Sequence, residues 1–305
     1  MPITIGTYRI LRELGRGGMG KVYLAKDPAS GELRAIKVLR RDLLEWPNVL
    51  ARFRREIEIS RGLSHPNICQ LYHAETAGRR PYLEMEYIVG DDLLQSAGVP
   101  PVGQAVDWIC QAAAGLAYAH ACEVVHRDVK PRNLMVDARG TVKVLDFGLA
   151  RLAVPGGTIT AAESYLGSLG FISPDQFRNP SRATPAFDIY SLGATLFTVL
   201  TGKRLYEVEL AAAGRDYNLC QSVTAAYQCP LPSLQSVRGD VPEKLDEVFR
   251  SMVAPEPEDR LRSMDEVIEL LEPFADRAPS RGLPRSERAT VDIETTITGR
   301  VRAAT

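Results

Sequence analysis

The run His126-Arg127-Asp128-Val129-Lys130-Pro131-Arg132-Asn133 crowds charged and amide side chains between two apolar stretches, which no rule of core packing requires. Each polar member suits one task. Asp128 offers a carboxylate to accept or orient the proton of an attacking hydroxyl. Lys130 offers a cation to offset charge on a transferring group. Asn133 offers a neutral amide oxygen of the kind that a hard divalent cation takes. Thirteen residues beyond Asn133 comes Asp146-Phe147-Gly148, at the end of the apolar strand candidate Val142-Lys143-Val144-Leu145. By itself this triplet would read as a turn or a helix cap. At this spacing Asp146 reads as a second metal ligand, since one carboxylate plus phosphate oxygens is the usual way to hold Mg²⁺.

Gly15-Arg16-Gly17-Gly18-Met19-Gly20 fits G-x-G-x-x-G. Its glycines let backbone N–H groups approach phosphate oxygens with no Cβ in the way. Dinucleotide-binding folds share the spacing, but there the turn leads from a strand into a helix. Here it leads into Lys21-Val22-Tyr23-Leu24, which reads as a second strand. Lys37 stands inside the apolar strand Ala35-Ile36-Lys37-Val38. On an inward face such a charge needs a partner. Glu56 and Glu58 are the acidic candidates on the next helix, about 200° apart around its axis, so they cannot face the same way.

The elements that must position these groups fall into two halves. Tyr8–Leu14, Lys21–Ala25 and Leu33–Leu39 read as strands joined by short breaker-rich turns, including Asp27-Pro28-Ala29-Ser30-Gly31, which predicts an antiparallel sheet. Asn48–Gly62 reads as a helix, and Gln70–Ala74 and Pro81–Tyr87 as two further strands. After Gly90 the pattern turns helical, with helices expected over Val102–Cys122, Ala186–Leu200, Pro242–Val253 and Ser263–Leu271. The fold class is therefore α+β: a small β-rich lobe with one main helix, joined near Ile88-Val89-Gly90 to a larger, mainly helical lobe. Residues 278–305 carry many charges, two prolines nearby and no apolar period, which predicts a disordered tail.

Composition narrows the function classes. With 305 residues and 45% hydrophobic content the chain can bury a sizeable core. A formal net charge of -1 gives no footprint for a nucleic acid partner. Five scattered cysteines without a C-x-x-C pair indicate neither a disulfide framework nor a zinc site, and a reducing cytoplasm is expected. Met1-Pro2-Ile3-Thr4 lacks the start of a secretory leader, and no window reaches the roughly 18 apolar residues of a spanning helix. Ile189–Leu200, the most apolar stretch, reads as a buried core helix.

Together these motifs resemble those of the bacterial, eukaryotic-type (Hanks-type) serine/threonine protein kinases over Tyr8 to Phe274. The resemblance implies a kinase domain over 8–274, with a small lobe over about 8–88 and a large lobe over about 90–274. It also implies an enzyme that transfers the γ-phosphate of ATP to Ser/Thr hydroxyls of proteins, its own activation segment included. The cofactors are ATP and Mg²⁺, for which Mn²⁺ would be a substitute. Asp128, Lys130, Lys37 and Glu56 take the catalytic roles, Glu56 being preferred over Glu58 by its spacing to Phe53 and His65-Pro66-Asn67. Asn133 and Asp146 take the metal. The nucleotide falls to Leu14, Gly15, Arg16, Gly17, Gly18, Met19 and Gly20, to Val22 and Ala35 above the adenine and Met135 below it. Met85 is the gatekeeper, and Glu86 to Ile88 is the hinge. Arg127 resembles the arginine that reads activation-loop phosphorylation. His126 and Phe147 resemble members of a hydrophobic spine, and Asp188 the aspartate that supports the catalytic loop. Lys130 in H-R-D-x-K-P-x-N is similar to the Ser/Thr branch.

Three departures from the family pattern follow. Ser168 stands where Thr is usual. Asp175 stands where a Glu usually pairs with an arginine, here expected to be Arg260. Arg204-Leu205-Tyr206 replaces a common Pro-Phe pair. Thr158, Thr160 and Ser164 offer phosphorylation sites whose phosphate would pair with Arg127. In the tail, Glu294-Thr295-Thr296 would dock a forkhead-associated adaptor once phosphorylated, and a homodimer is a further expected partner. Rival readings are a small-molecule phosphotransferase, a pseudokinase scaffold and a Rossmann dehydrogenase. Arg127, Lys130 and Ser173-Pro174-Asp175 argue against the first. The full set Lys37, Glu56, Asp128, Asn133 and Asp146 argues against the second. The strand after the glycines argues against the third.

Overall fold

A computed structural model describes residues 3–17, 20–40, 54, 57–58, 60–76, 81–95, 98–147, 169–207, 227 and 229–276. Several expectations lie outside the described residues: those on Gly18, Met19, Glu56, Gly148, Thr158, Thr160, Ser164, Ser168 and the tail over 278–305.

The first half forms one six-stranded antiparallel sheet. Its strands are β1 (Thr4–Ile5), β2 (Tyr8–Gly17), β3 (Gly20–Lys26), β4 (Leu33–Leu39), β5 (Leu71–Glu75) and β6 (Tyr82–Glu86), in the order β1-β2-β3-β4-β6-β5. β1 was not legible as a strand, because two residues carry no period. β2 runs three residues past Leu14, through the first glycines, and pairs Gly17 with Gly20. Glycine meets no steric bar to extended backbone, so with β3 alongside the ladder continues where a loop was expected. Two register shifts, at Ile10/Arg12 and Glu13/Gly15, bend this strand. Gly20 is required by close approach: a Cβ there would lie 1.9 Å from the Val38 carbonyl oxygen.

Register sorts the two faces of the sheet. Val22 pairs with Lys37, Leu24 with Ala35, Lys37 with Leu83 and Ala35 with Met85, so these six share one face. The other face has its own small core of Ile5, Tyr8, Ala25, Ile36 and Tyr82, which the β1–β2 hairpin helps to close. Arg54, Ile57, Glu58 and Ser60 to Gly62 are helical, as expected for this stretch, and Ile57 packs with Leu39, Leu71 and Leu83 on the first face.

The second half is helical. α1 (Val102–Ala121) buries Ala105, Val106, Ile109, Ala112, Ala113, Leu116 and Ala119, at the three- and four-residue spacing of a single stripe. β7 (Gly90–Asp92), β8 (Leu134–Asp137) and β9 (Val142–Val144) form a second, three-stranded antiparallel sheet at the start of this half. Then come α2 (Pro174–Arg178), α3 (Pro185–Thr201), α4 (Leu234–Val237), α5 (Glu243–Met252) and α6 (Met264–Leu271). α3 is buried all round from Phe187 to Leu200, as the sequence predicts, and ends in a left-handed Gly202 (φ 70°). Its hydroxyls stay satisfied by turning back one turn: Thr195 donates to Ser191 O at 2.8 Å and Thr198 to Ala194 O at 3.0 Å. α5 lies so close to α3 that a Cβ on Gly193 would sit 2.7 Å from Val253. α6 is capped by the Ser263 hydroxyl, which accepts from Glu266 N. Among the described residues no helix is long and apolar enough to cross a membrane.

Candidate active site

The site gathers where the two sheets and α3 meet. Between α1 and β8 the chain makes the turn that carries His126 to Asn133. Arg127 sits there in the left-handed region, with φ 69°. A non-glycine residue in that region carries strain and needs support. Asp188 of α3 supplies it: its carboxylate, fully buried, accepts from His126 N at 2.8 Å and from Arg127 N at 2.7 Å. Gln176 of α2 holds the other side of the same residue by donating to the Arg127 carbonyl at 2.8 Å. His120, in the last turn of α1, meets Asp188 at 2.8 Å. Burial alone would raise the Asp188 carboxyl, but His120 and the N–H groups outweigh it and hold it below the usual carboxylate range. Asp188 thus has the supporting place expected of it.

The three polar members of the catalytic run meet one another. Lys130 Nζ stands 2.9 and 2.7 Å from the two oxygens of Asp128. Asn133 Nδ2 donates to Asp128 O at 2.7 Å and to its carboxylate at 3.0 Å. With the amide nitrogen so used, the amide oxygen of Asn133 is the atom left for a metal. A one-turn 3₁₀ helix over Pro131–Asn133 sets this geometry and feeds β8 directly.

Asp146 follows β9, also with positive φ (55°). Lys37 reaches it across the cleft, Nζ to carboxylate oxygen 2.7 Å. Lys37 is thus inward-facing and 6% exposed, with its charge paired. Burial pushes the Asp146 carboxyl up, and the Lys37 ammonium, aided by Lys130, pulls it below its ordinary value. Leu145 N donates to Asn133 O at 2.9 Å, which ties the strand of Asp146 to the catalytic turn. His126, fully buried, donates from Nε2–H to Leu145 O at 2.7 Å, while Asp128 N donates to Nδ1 at 3.2 Å. The His126 ring meets Phe147 edge-on, with centroids 4.8 Å apart. Ser60, helical like Ile57 and Glu58, donates to Phe147 O at 3.2 Å.

A cavity lined by Cys69, Leu71, Leu83, Met85, Asp146 and Phe147 opens between the first sheet and this strand. Burial pushes the Cys69 thiol up to about 12, so it packs as a small apolar group. Among the described residues, those assigned to the nucleotide are distributed around the cleft. Val22, Ala35 and Met85 share a sheet face, Ile88 is buried just past β6, and Met135 lies half-buried in β8. Gly15 continues β2 after Leu14, and a Cβ there would meet nothing within 4 Å. Packing within the protein does not call for glycine there, whereas a close-lying phosphate would. Arg16 turns its side chain to Glu13. Glu86 has its side chain engaged by Lys143.

The donor set fits a nucleotide with a divalent cation. Among the described residues no cluster of three or more His, Cys, Asp or Glu side chains is arranged to hold a metal. A cation here would rest on Asp146, Asn133 and the phosphates of the nucleotide itself. Asp175, the shortened counterpart of the usual glutamate, still reaches Arg260 at 2.8 Å. Arg260 is also bound by the carbonyls of Ala254, Ala186 and Pro255. At Arg204-Leu205-Tyr206, Tyr206 takes a left-handed φ of 65° and packs edge-on to Tyr227, whose hydroxyl donates to Ile172 O at 2.8 Å. Sequence reasoning missed Gln176, Lys143 and the role of His120. Only His120 carried a signal, as a histidine in the last turn of a helix just before the catalytic run.

Known proteins share this plan. The protein kinase domain family profile matches residues 8–270. The chain is 35% identical over 265 residues to the serine/threonine-protein kinase PrkC of Bacillus subtilis, covering 86% of this chain and 39% of that one. It is 36% identical over 272 residues to the serine/threonine-protein kinase PknB of Mycobacterium tuberculosis, covering 85% of this chain and 41% of that one. It therefore spans about two fifths of the length of these curated relatives. The fold is that of the Mycobacterium tuberculosis PknI kinase domain, with a TM-score of 0.70, 24% identity and coverage of 90% of this chain and 97% of that one. On the extent of the profile match and of its likeness to these two kinases, the chain belongs to the protein kinase domain family.

Proposed function

We propose that this chain is a serine/threonine protein kinase that uses ATP with Mg²⁺. The observation that carries the reading is the Asp128 carboxylate held between Lys130 Nζ (2.7 Å) and the Asn133 amide (3.0 Å). That is a base, a cation and a metal-ligating amide on one rigid turn. The named activity of PrkC and PknB supports it. Asp128 would take the hydroxyl hydrogen bond of a serine or threonine and orient its oxygen toward the γ-phosphorus. Lys130, already on the carboxylate, would turn to the equatorial oxygens as charge moves onto them. Lys37 would shift from Asp146 to the α- and β-phosphates. Asp146 and Asn133 would then hold the metal, which supplies Lewis-acid neutralisation of phosphate charge. Protein acceptors, autophosphorylation of the segment after Asp146, domain limits of 8–274 and a cytoplasmic setting belong to the same proposal.

The test is labelled ATP with Mg²⁺ and a generic basic protein acceptor. The native chain should label both itself and the acceptor. Asp128→Asn should lose about 10²-fold or more in turnover. Equal labelling by both chains would overturn the assignment, and labelling by neither would favour a scaffold.

A further inference from the structure

Lys143 and Glu86 are 57 residues apart and meet as a two-pronged ion pair. Lys143 Nζ stands 2.8 Å from Oε1 of Glu86 and 2.9 Å from Oε2. Their side chains are 16% and 26% exposed, so water screens the pair only in part. The Glu86 carboxylate also accepts from Gln70 N at 3.2 Å.

What this pair joins gives it meaning. Glu86 ends β6, where the hinge begins. Lys143 lies in β9, three residues before Asp146, and pairs in register with Met135 of β8. The segment Asn67 to Gln70 is clamped between the two. Val144 N donates to Asn67 O, Cys69 N donates to Val144 O, and Glu86 N donates to Gln70 O, at 2.9, 2.9 and 2.8 Å. The backbone bonds make three sides of a ring from hinge to metal strand. The ion pair is the side-chain contact that closes it.

We propose that the Glu86–Lys143 pair is a positioning strut, which sets the hinge and the Met135 floor at a fixed distance from the carboxylate of Asp146. It rests on the kinase reading. It goes beyond that reading by assigning a positioning role to Lys143, whose ammonium is engaged by Glu86. On the kinase reading a nucleotide would bridge both ends, its base against the hinge and its phosphates near Asp146. A closed ring presents both ends in register, so no ordering is left to the moment of binding. Opening the ring weakens the use of base and metal together, more than it weakens the fold.

The experiment is a double-mutant cycle in the full chain with Glu86→Gln, Lys143→Met and the two combined, plus the reversed pair Glu86→Lys/Lys143→Glu. The readouts are ADP binding by calorimetry with and without Mg²⁺, KM for ATP, KM for acceptor, and Tm. Each single variant should weaken ADP binding in Mg²⁺ and raise KM for ATP by about threefold to tenfold, within the range of contact coupling energies. KM for acceptor should stay within twofold of native. The double variant should be no worse than either single one, and the reversed pair should recover most of the loss. A lowered Tm with native ADP affinity, or additive losses without rescue, would assign the pair to stability alone and overturn the strut. A native chain that binds no nucleotide would sink the kinase reading and the strut together. A native chain that binds ADP and is matched by Lys143→Met would sink the strut by itself.

Discussion

Lys37 shows how one side chain is made to serve by its surroundings. It lies in an apolar strand, 6% exposed, and its ammonium is paired with Asp146 at 2.7 Å. A buried lysine without such a partner would lose its charge. The same pairing keeps Asp146 ionised, which a metal ligand must be. Lys37→Met should therefore lower phosphoryl transfer by orders of magnitude, about 10² or more, through lost phosphate positioning. The near-ultraviolet circular dichroism should stay native, because the β4 ladder uses the backbone and not the ammonium. A native rate for this variant would remove Lys37 from the mechanism. The same logic explains why Asp175 suffices where a longer acid is usual. Arg260 does not depend on it alone, since three carbonyls share its guanidinium.

At the scale of elements, close backbone approach decides where side chains are forbidden. Gly20 opens β3 with its Cα against the Val38 carbonyl of β4. The β3–β4 ladder carries both Val22 and Lys37, so any shift there moves the roof of the cleft and the Lys37 ammonium together. Gly20→Ala should cost about 1–3 kcal/mol in urea unfolding, as strain from an atom with no room. It should also raise KM for ATP more than it lowers kcat. α3 is the other controlling element. Asp188 projects from it to hold two N–H groups of the catalytic turn, and Ser191 donates to Phe171 O at 2.7 Å. A single buried helix thereby fixes both the catalytic turn and the chain just before α2.

For the molecule as a whole, its buried acids set its response to pH. Asp146, Asp175 and Asp188 are all held below the ordinary carboxylate value. In each, burial opposes and a cationic or N–H partner prevails. A folded state with depressed values binds fewer protons than the unfolded chain, so these groups stabilise it above about pH 4, the unfolded value. That stability is lost as pH falls through the lower folded values. The native chain should keep a flat Tm from neutral pH to about 5 and then decline steeply. Asp188→Asn should lower Tm at pH 7 by the equivalent of about 3 kcal/mol, since it disrupts a buried pair, and its acid limb should be shallower. An unchanged acid limb in calorimetry would show that Asp188 is not one of the controlling groups.

Much of the fold was legible because its signals are local. Strand period over Lys21–Ala25 and Leu33–Leu39, helical stripes over Val102–Cys122 and Ser263–Leu271, and the order strand–glycines–strand each depend on neighbours within about four residues. The groups of the catalytic run were legible for the same reason, since Asp128, Lys130 and Asn133 meet within a single turn. What the tertiary structure decided depends on contacts that no local period records. It brought Asp146 to Lys37, 109 residues away. It extended β2 through the glycines, because β3 was there to pair with it. It tied Gln176 to Arg127 and Lys143 to Glu86. In each case a charge or a backbone group was bound to be satisfied once buried, a demand the sequence already makes. Which distant group would meet it follows only from how the sheets and α3 pack.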